Sequence, residues 1–356
     1  MTSPISRKTV HHGIRIFLIL TVLGFAAIFY MTGSEETIEA LRHIKLSFIF
    51  IAVLLVGVDF ISGAGRIYIF LRKLDPPSEK HAFWAAFRGN LSNIFLAAAT
   101  PFQTGGGIAQ IYMIQRAGYP VSGVTSISIM NFTATLAMLM IAGLLAIRWM
   151  ANQFADFQFK FILSFSSIVF YIVLALFFIF LFRPTIISTF IQWILTGLSR
   201  RWKKKAQMLL NANEKLHEFI ENYQQHIRYF FSKEKMILFH NLWLTIVLYF
   251  NKCLTAYVIL KGMGLDPSFW HVVSLQILII FIIYFCPTPG ASFLAETSTA
   301  ALMSLVIDKP LIPVFILLWR FFTTYFGVIV GGFILMRAIG RSAPGSSQST
   351  ETGMVQ

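Results

Sequence analysis

Apolar residues in this chain fall into long blocks separated by short polar or basic stretches. The blocks lie at about 14–31, 46–71, 91–114, 124–147, 161–182, 237–260, 271–307 and 311–336. Each is long enough for a helix that crosses the apolar core of a bilayer, which takes roughly 20 residues. Two blocks are interrupted at their centres. "TPFQTGGG" (100–107) breaks the third and "PTPGASFLAE" (287–296) breaks the seventh. Proline and clustered glycine do not continue a uniform helix. Each interruption therefore predicts two half-helices joined by a turn.

Composition sets the solvent. Apolar residues make up 56% of the 356 positions and charged residues only 12%, with a mean hydropathy of +0.71. A soluble domain carries about 25% charged residues, so this is an integral membrane protein. The formal charge of +14 is then read first as orientation and anionic-lipid contact, and nucleic acid is not expected as a partner. Cys253 and Cys286 both lie in apolar blocks, where a disulfide is not expected. The stretch from Ile14 to Met31 is long and lacks a small-residue cleavage pattern, so it reads as a retained first span.

The loops orient the spans. Arg7, Lys8 and Arg15 put the N-terminus in the cytoplasm, and "RKLDPPSEKHAFWAAFR" and the basic segment 183–236 belong there too. Three apolar blocks separate those two basic stretches, and three crossings would put the second one outside. The conflict disappears if 89–117 enters and leaves from the cytoplasm. The same logic makes 270–309 a hairpin entering from outside, so that the final span ends inside beside Arg337 and Arg341. The expected fold is an all-α polytopic membrane protein with about six full spans and two oppositely oriented re-entrant helical hairpins. Both termini are expected in the cytoplasm. Residues 1–13 form the N-terminus, 14–341 one transmembrane domain, and 342–356 a disordered polar tail. Within the domain, "SRRWKKKAQMLLNANEKLHEFIENYQQHIRYF" reads as an amphipathic helix on the cytoplasmic headgroups, with Leu209, Leu216, Phe219 and Ile220 at helical spacing.

The two broken blocks share Thr-Pro followed by small residues, and they enter from opposite sides. That pattern predicts an inverted repeat with a site near the bilayer midplane. Irregular backbone at membrane depth is tolerated where it is buried or lines a wet cavity, and half-helix N-termini favour an anionic group there. From this come the candidate ligand-binding positions Thr100, Pro101, Gln103, Thr104, Gly105, Gly106 and Gln110 in the first hairpin. Thr288, Pro289, Gly290, Ser292 and Glu296 are their counterparts in the second.

"ATPFQTGGGIAQIYMIQRAG", "PTPGASFLAE" and "LLWRFFTTYFGVIVGG" together resemble the lysylphosphatidylglycerol synthase transmembrane-region family. That family is also described as flippase-like or UPF0104, and its members resemble the lipid-flipping half of the multiple peptide resistance factor. The resemblance covers about 80–340. It matches the family's Pro-Thr-Pro-Gly and the Glu seven positions after the second Pro at Glu296, and its Arg in the last span at Arg320. The pattern departs at Gly107, Gln110, Ala291 and Phe293. It implies movement of a phospholipid or lipid-linked anionic molecule between leaflets, in a bacterial or archaeal cytoplasmic membrane. With only a polar tail after residue 341, no aminoacyl-transferase part is expected. A lipid-synthase partner and self-association stay open.

An intramembrane carboxylate is costly and is a functional candidate by default. Glu296 is suited to a cationic headgroup, a proton relay or an ion pair, and Arg320 is its obvious partner. Asp59 and Arg66, seven apart, share a helix face and read first as a polar contact between helices. Asn90, Asn93 and Asn251 are further polar positions in or near spans. Asn131 points to the interior, and Lys252 lies deeper than snorkelling explains, so both join the candidates. No HExxH, Walker, GxSxG or CxxC sequence is present. Accordingly no catalytic residue, metal or cofactor is expected, and the chain is not expected to be an enzyme. Two rivals remain: a membrane transferase acting on a phospholipid or polyprenyl-phosphate, and a lipid-binding accessory subunit of a lipid synthase.

Overall fold

The computed structural model describes residues 7–32, 44–74, 79–151, 228–284 and 286–340, with isolated positions between 35 and 39 and between 221 and 226. Every regular element among them is helical. The long helices are α1 (Arg7–Thr32), α2 (Leu46–Leu71), α5 (Val121–Ala151) and α6 (Lys235–Gly262). Between α2 and α5 lie the half-helices α3 (Glu79–Ala98) and α4 (Gly105–Gln115). After α6 come the half-helices α7 (Phe269–Tyr284) and α8 (Leu294–Met303). The last crossing is α9 (Ile312–Arg320) and α10 (Phe326–Gly340), joined by a π-turn at Phe321–Tyr325.

Five stretches are long and apolar enough to cross a bilayer: His12–Met31, Leu46–Leu71, Val121–Trp149, Lys235–Gly262 and Lys309–Gly340. They are five of the six expected full spans. The sixth window (161–182), most of the basic segment 183–236 and the tail from 342 onward fall outside the described residues. The molecule is thus an all-α, multi-pass membrane protein. Its outer surface agrees: Val22 and Phe333 are 65% and 69% exposed, on faces that only lipid solvates well.

Two helices begin earlier than their apolar windows. Helix α1 starts at Arg7 and α3 at Glu79. Hydropathy marks the part of a helix that needs lipid, whereas the backbone stays helical through flanking polar residues until a breaker intervenes.

Both interruptions break the helix as expected. Helices α3 and α4 fold back on each other, as do α7 and α8, and the two hairpin tips meet. The tips also share a local backbone. Thr100 and Thr288 are extended (φ −131° and −86°, ψ 147° and 149°), each followed by proline. The next two residues in each are left-handed: Phe102 and Gln103 at φ 51° and 56°, Gly290 and Ala291 at φ 59° and 54°. Only Gly290 adopts this region without strain, and a Cβ there would also lie 2.4 Å from the Phe17 ring of α1.

Around the hairpins, α2 packs along α6, and α3 lies between α2 and α10. The last contact is very close, since a Cβ on Gly331 would come within 2.0 Å of the Leu91 carbonyl oxygen. Phe60, Leu91, Ile279, Phe315 and Ile316 fill the main apolar core. Asn251 Nδ2 donates to the Leu55 carbonyl at 2.8 Å, a polar tie between helices where water does not compete. Both cysteines are buried free thiols.

Candidate functional site

The hairpin tips close over polar lining. A cavity of ≈ 700 Å³ lies between α2, α3, the first tip, α5, α6, α7 and α9. Each helix supplies a stripe at helical spacing: Asp59, Gly63 and Arg66 from α2, Asn90, Asn93 and Ala97 from α3, and Ser128, Asn131 and Thr135 from α5. Tyr249 and Lys252 come from α6, Ile280, Ile283 and Tyr284 from α7, and Arg320, Thr323 and Thr324 from the last crossing.

The first tip is built by Thr100. Its hydroxyl donates to the Leu96 carbonyl at 2.8 Å and accepts from the Gly105 amide at 2.9 Å. One side chain thus satisfies an orphan carbonyl at the end of α3 and an orphan amide at the start of α4. Gln103 Nε2 donates to the Ile283 carbonyl at 3.3 Å, tying the first tip to the end of α7. Asn93 Nδ2 donates to Gln110 Oε1 at 3.0 Å, and Gln110 Nε2 donates to the Ser128 hydroxyl at 2.9 Å. This chain orders α3, α4 and α5 against one another.

The second tip is held from behind. Thr288 donates to the Ser292 carbonyl at 2.9 Å, and the Ser292 hydroxyl shares a 2.9 Å hydrogen bond with Thr21 of α1. Arg320 Nη2 donates to the Gly290 carbonyl at 3.0 Å. Arg320 Nε lies 2.9 Å from Glu296 Oε1, and both residues are almost fully buried. The contact is short but poorly aligned, and neither carboxylate oxygen accepts a directed hydrogen bond among the described residues. The attraction is mainly Coulombic.

Among the described residues, three cations face the cavity. Lys252 Nζ pairs with Asp59 Oδ1 at 2.8 Å, and Arg320 pairs with Glu296. Arg66 is held by neutral groups: Nε donates to Asn241 Oδ1 at 3.3 Å, and Nη2 to the Asn131 carbonyl at 2.5 Å and the Thr135 hydroxyl at 2.9 Å. Among the described residues no carboxylate pairs with it.

Of the candidates read from the sequence, Gln103, Thr104, Gln110, Gly290, Arg320, Asn131 and Lys252 line the cavity. Thr100, Pro101, Gly105, Gly106, Thr288, Pro289 and Ser292 shape the tips outside the cavity wall. Glu296 stands behind Arg320, fully buried, so its nearest role is to hold that guanidinium. Asp59 and Arg66 do share a face, but they do not bond to each other: Asp59 pairs with Lys252 of α6, and Arg66 bonds to Asn241 of α6 and to Asn131 and Thr135 of α5. Sequence reading missed Ser128, Thr135, Tyr249, Tyr284, Thr323 and Thr324 as lining residues. The signal for the first two was available: Ser128, Asn131 and Thr135 repeat at three and four residues within an otherwise apolar span, which is an inward polar stripe.

Comparison with known proteins gives a consistent answer. The sequence model of a family described as "Lysylphosphatidylglycerol synthase TM region" matches residues 14–331. A protein of Archaeoglobus fulgidus named "UPF0104 membrane protein" is 24% identical over 333 residues, covering 91% of this chain and 97% of that protein.

Proposed function

The chain belongs to the lysylphosphatidylglycerol synthase TM-region family, and from that premise we propose that it moves a phospholipid or lipid-linked anionic molecule between membrane leaflets. One observation carries this reading. Two hairpin tips with matching backbones meet over a polar cavity of ≈ 700 Å³ inside a bundle whose outer surface is apolar. The headgroup occupies the cavity while the acyl chains stay in lipid. The water that the headgroup gives up is replaced by the polar stripes on α2, α3 and α5, which lowers the main barrier to crossing an apolar core. Gly107 lines the cavity in the first turn of α4, so the positive end of that half-helix contributes as well.

Both termini lie in the cytoplasm in this reading, placed by Arg7, Lys8 and Arg15 at one end and Arg337 and Arg341 at the other. The protein acts as a transporter and catalyses no covalent step. A lipid synthase that supplies the cargo, or a second copy of the chain, is a natural partner.

The test is leaflet exchange in proteoliposomes. Fluorescent lipids with anionic, zwitterionic and cationic headgroups are followed with a membrane-impermeant quencher. Exchange above protein-free vesicles is expected. No exchange of any lipid, with or without an ion gradient, would refute transport. A labelled product formed from a lipid donor would establish a transferase instead.

A further inference from the structure

We infer that Arg66 is the anion-binding residue of the cavity, and that the cavity takes a single phosphate group carrying one negative charge. The inference rests on the lipid-transport reading and narrows its substrate to phosphodiester headgroups without a compensating cation.

The argument is one of charge. Lys252 and Arg320 each have a carboxylate within 2.9 Å. Arg66 is 7% exposed and touches only neutral acceptors, so the cavity keeps one positive charge from it. A cation withdrawn from water and left uncompensated is costly, and a guanidinium cannot shed its proton to escape the cost. The cost persists because three hydrogen bonds to two neighbouring helices lock the side chain in place. Asn241 belongs to α6, while Asn131 and Thr135 belong to α5. Those bonds use Nε and Nη2. Nη1 donates to no protein group among the described residues, which leaves its N–H groups to donate to an oxygen ligand. A hydrogen bond from a charged guanidinium nitrogen to a phosphate oxygen is roughly twice as strong as a neutral one. Asn90, Asn93 and Thr104 add neutral polar groups around the same cavity, so among the described residues a second headgroup charge of either sign finds no free partner.

The experiment uses the full chain in detergent and measures binding by calorimetry. The probes are short-chain phosphatidylglycerol (a phosphodiester with one charge), phosphatidylcholine (a zwitterion), phosphatidic acid (a phosphomonoester) and inorganic phosphate. Phosphatidylglycerol is expected to bind tightest. Arg66→Gln should weaken it roughly tenfold or more, the loss of a charge-assisted hydrogen bond. Arg66→Lys should recover part of the affinity, because the charge remains while the guanidinium donors that anchor it and reach the ligand do not. Asp59→Asn tests the charge count with Arg66 in place. It frees Lys252 and should shift the preference from phosphodiester toward phosphomonoester.

Equal binding of phosphatidylglycerol and phosphatidylcholine, or an unchanged affinity in Arg66→Gln, would overturn the inference. So would an unchanged preference in Asp59→Asn. In either case, leaflet exchange that persists leaves the transport reading standing. Arg66-dependent binding of inorganic phosphate without binding of any lipid would support the phosphate site and remove the lipid as its source.

Discussion

Replacing Glu296 with glutamine keeps the size and shape of the side chain and removes its charge. In the folded protein Arg320 Nε lies 2.9 Å from the carboxylate, with both groups nearly water-free. At an effective dielectric constant of about 20, that separation gives about 6 kcal/mol of gross attraction. Most of this offsets the desolvation of the two ions, so the pair adds little net stability. Removing one partner is different, because Arg320 then stays buried with the Gly290 carbonyl and the weak contact to Thr324. The expected cost of Glu296→Gln is about 3–5 kcal/mol. A Glu296→Met, Arg320→Met double variant leaves no orphan charge and should recover a large part of that loss. It should not recover all of it, because the Gly290 carbonyl loses its donor. The assay is reversible unfolding in mixed micelles with increasing sodium dodecyl sulfate, followed by tryptophan fluorescence. A Glu296→Gln variant as stable as the parent would refute the reasoning. So would a double variant less stable than both singles, since that would make the pair a net source of stability.

Three further outcomes follow from the geometry. Phe102→Gly should be more stable than Phe102→Ala by about 1 kcal/mol in the same unfolding assay, because both lose the ring but only glycine relieves the left-handed backbone at φ 51°. Gly331→Ala should destabilise by about 1–3 kcal/mol, since its Cβ would meet the Leu91 carbonyl at 2.0 Å and backbone cannot yield cheaply. Outside the spans, Lys73 Nζ lies 2.9 Å from Glu234 Oε1. The hydrogen bond from Lys73 holds the Glu234 carboxyl below its ordinary value, and the same bond raises Lys73. The glutamate contribution is present above the ordinary carboxylate value and lost as pH falls through the depressed one. The lysine contribution is present below the ordinary lysine value and lost as pH rises through the raised one. A melting profile against pH should therefore fall at both ends, and Glu234→Gln should flatten the acid end.

The hairpins and their breaks were legible because the bilayer imposes a length rule on the chain. A block of apolar residues with Thr-Pro and glycine at its centre has few ways to satisfy its backbone at membrane depth, so 100–107 and 287–296 are read correctly as turns between half-helices. The Glu296–Arg320 pair was also legible. A carboxylate and a guanidinium in successive membrane elements have few other partners. The π-turn at Phe321–Tyr325 left no sequence mark, because one extra residue in a helical turn changes neither composition nor hydropathy.

The sequence by itself determined the solvent, the class of fold, the spans within the described residues and the two points where helix gives way to turn. These follow from local rules, namely apolar length and breaker residues. Tertiary structure alone decided that the two tips touch, that Asp59 answers Lys252 across α2 and α6, and that Glu296 stands behind the cavity wall. It also decided that Arg66 has no carboxylate of its own among the described residues. Periodicity relates residues three, four or seven apart on one helix. Which helix that face meets is set by the packing of the whole bundle, where close approaches such as Gly331 on Leu91 fix the register of one stripe against another.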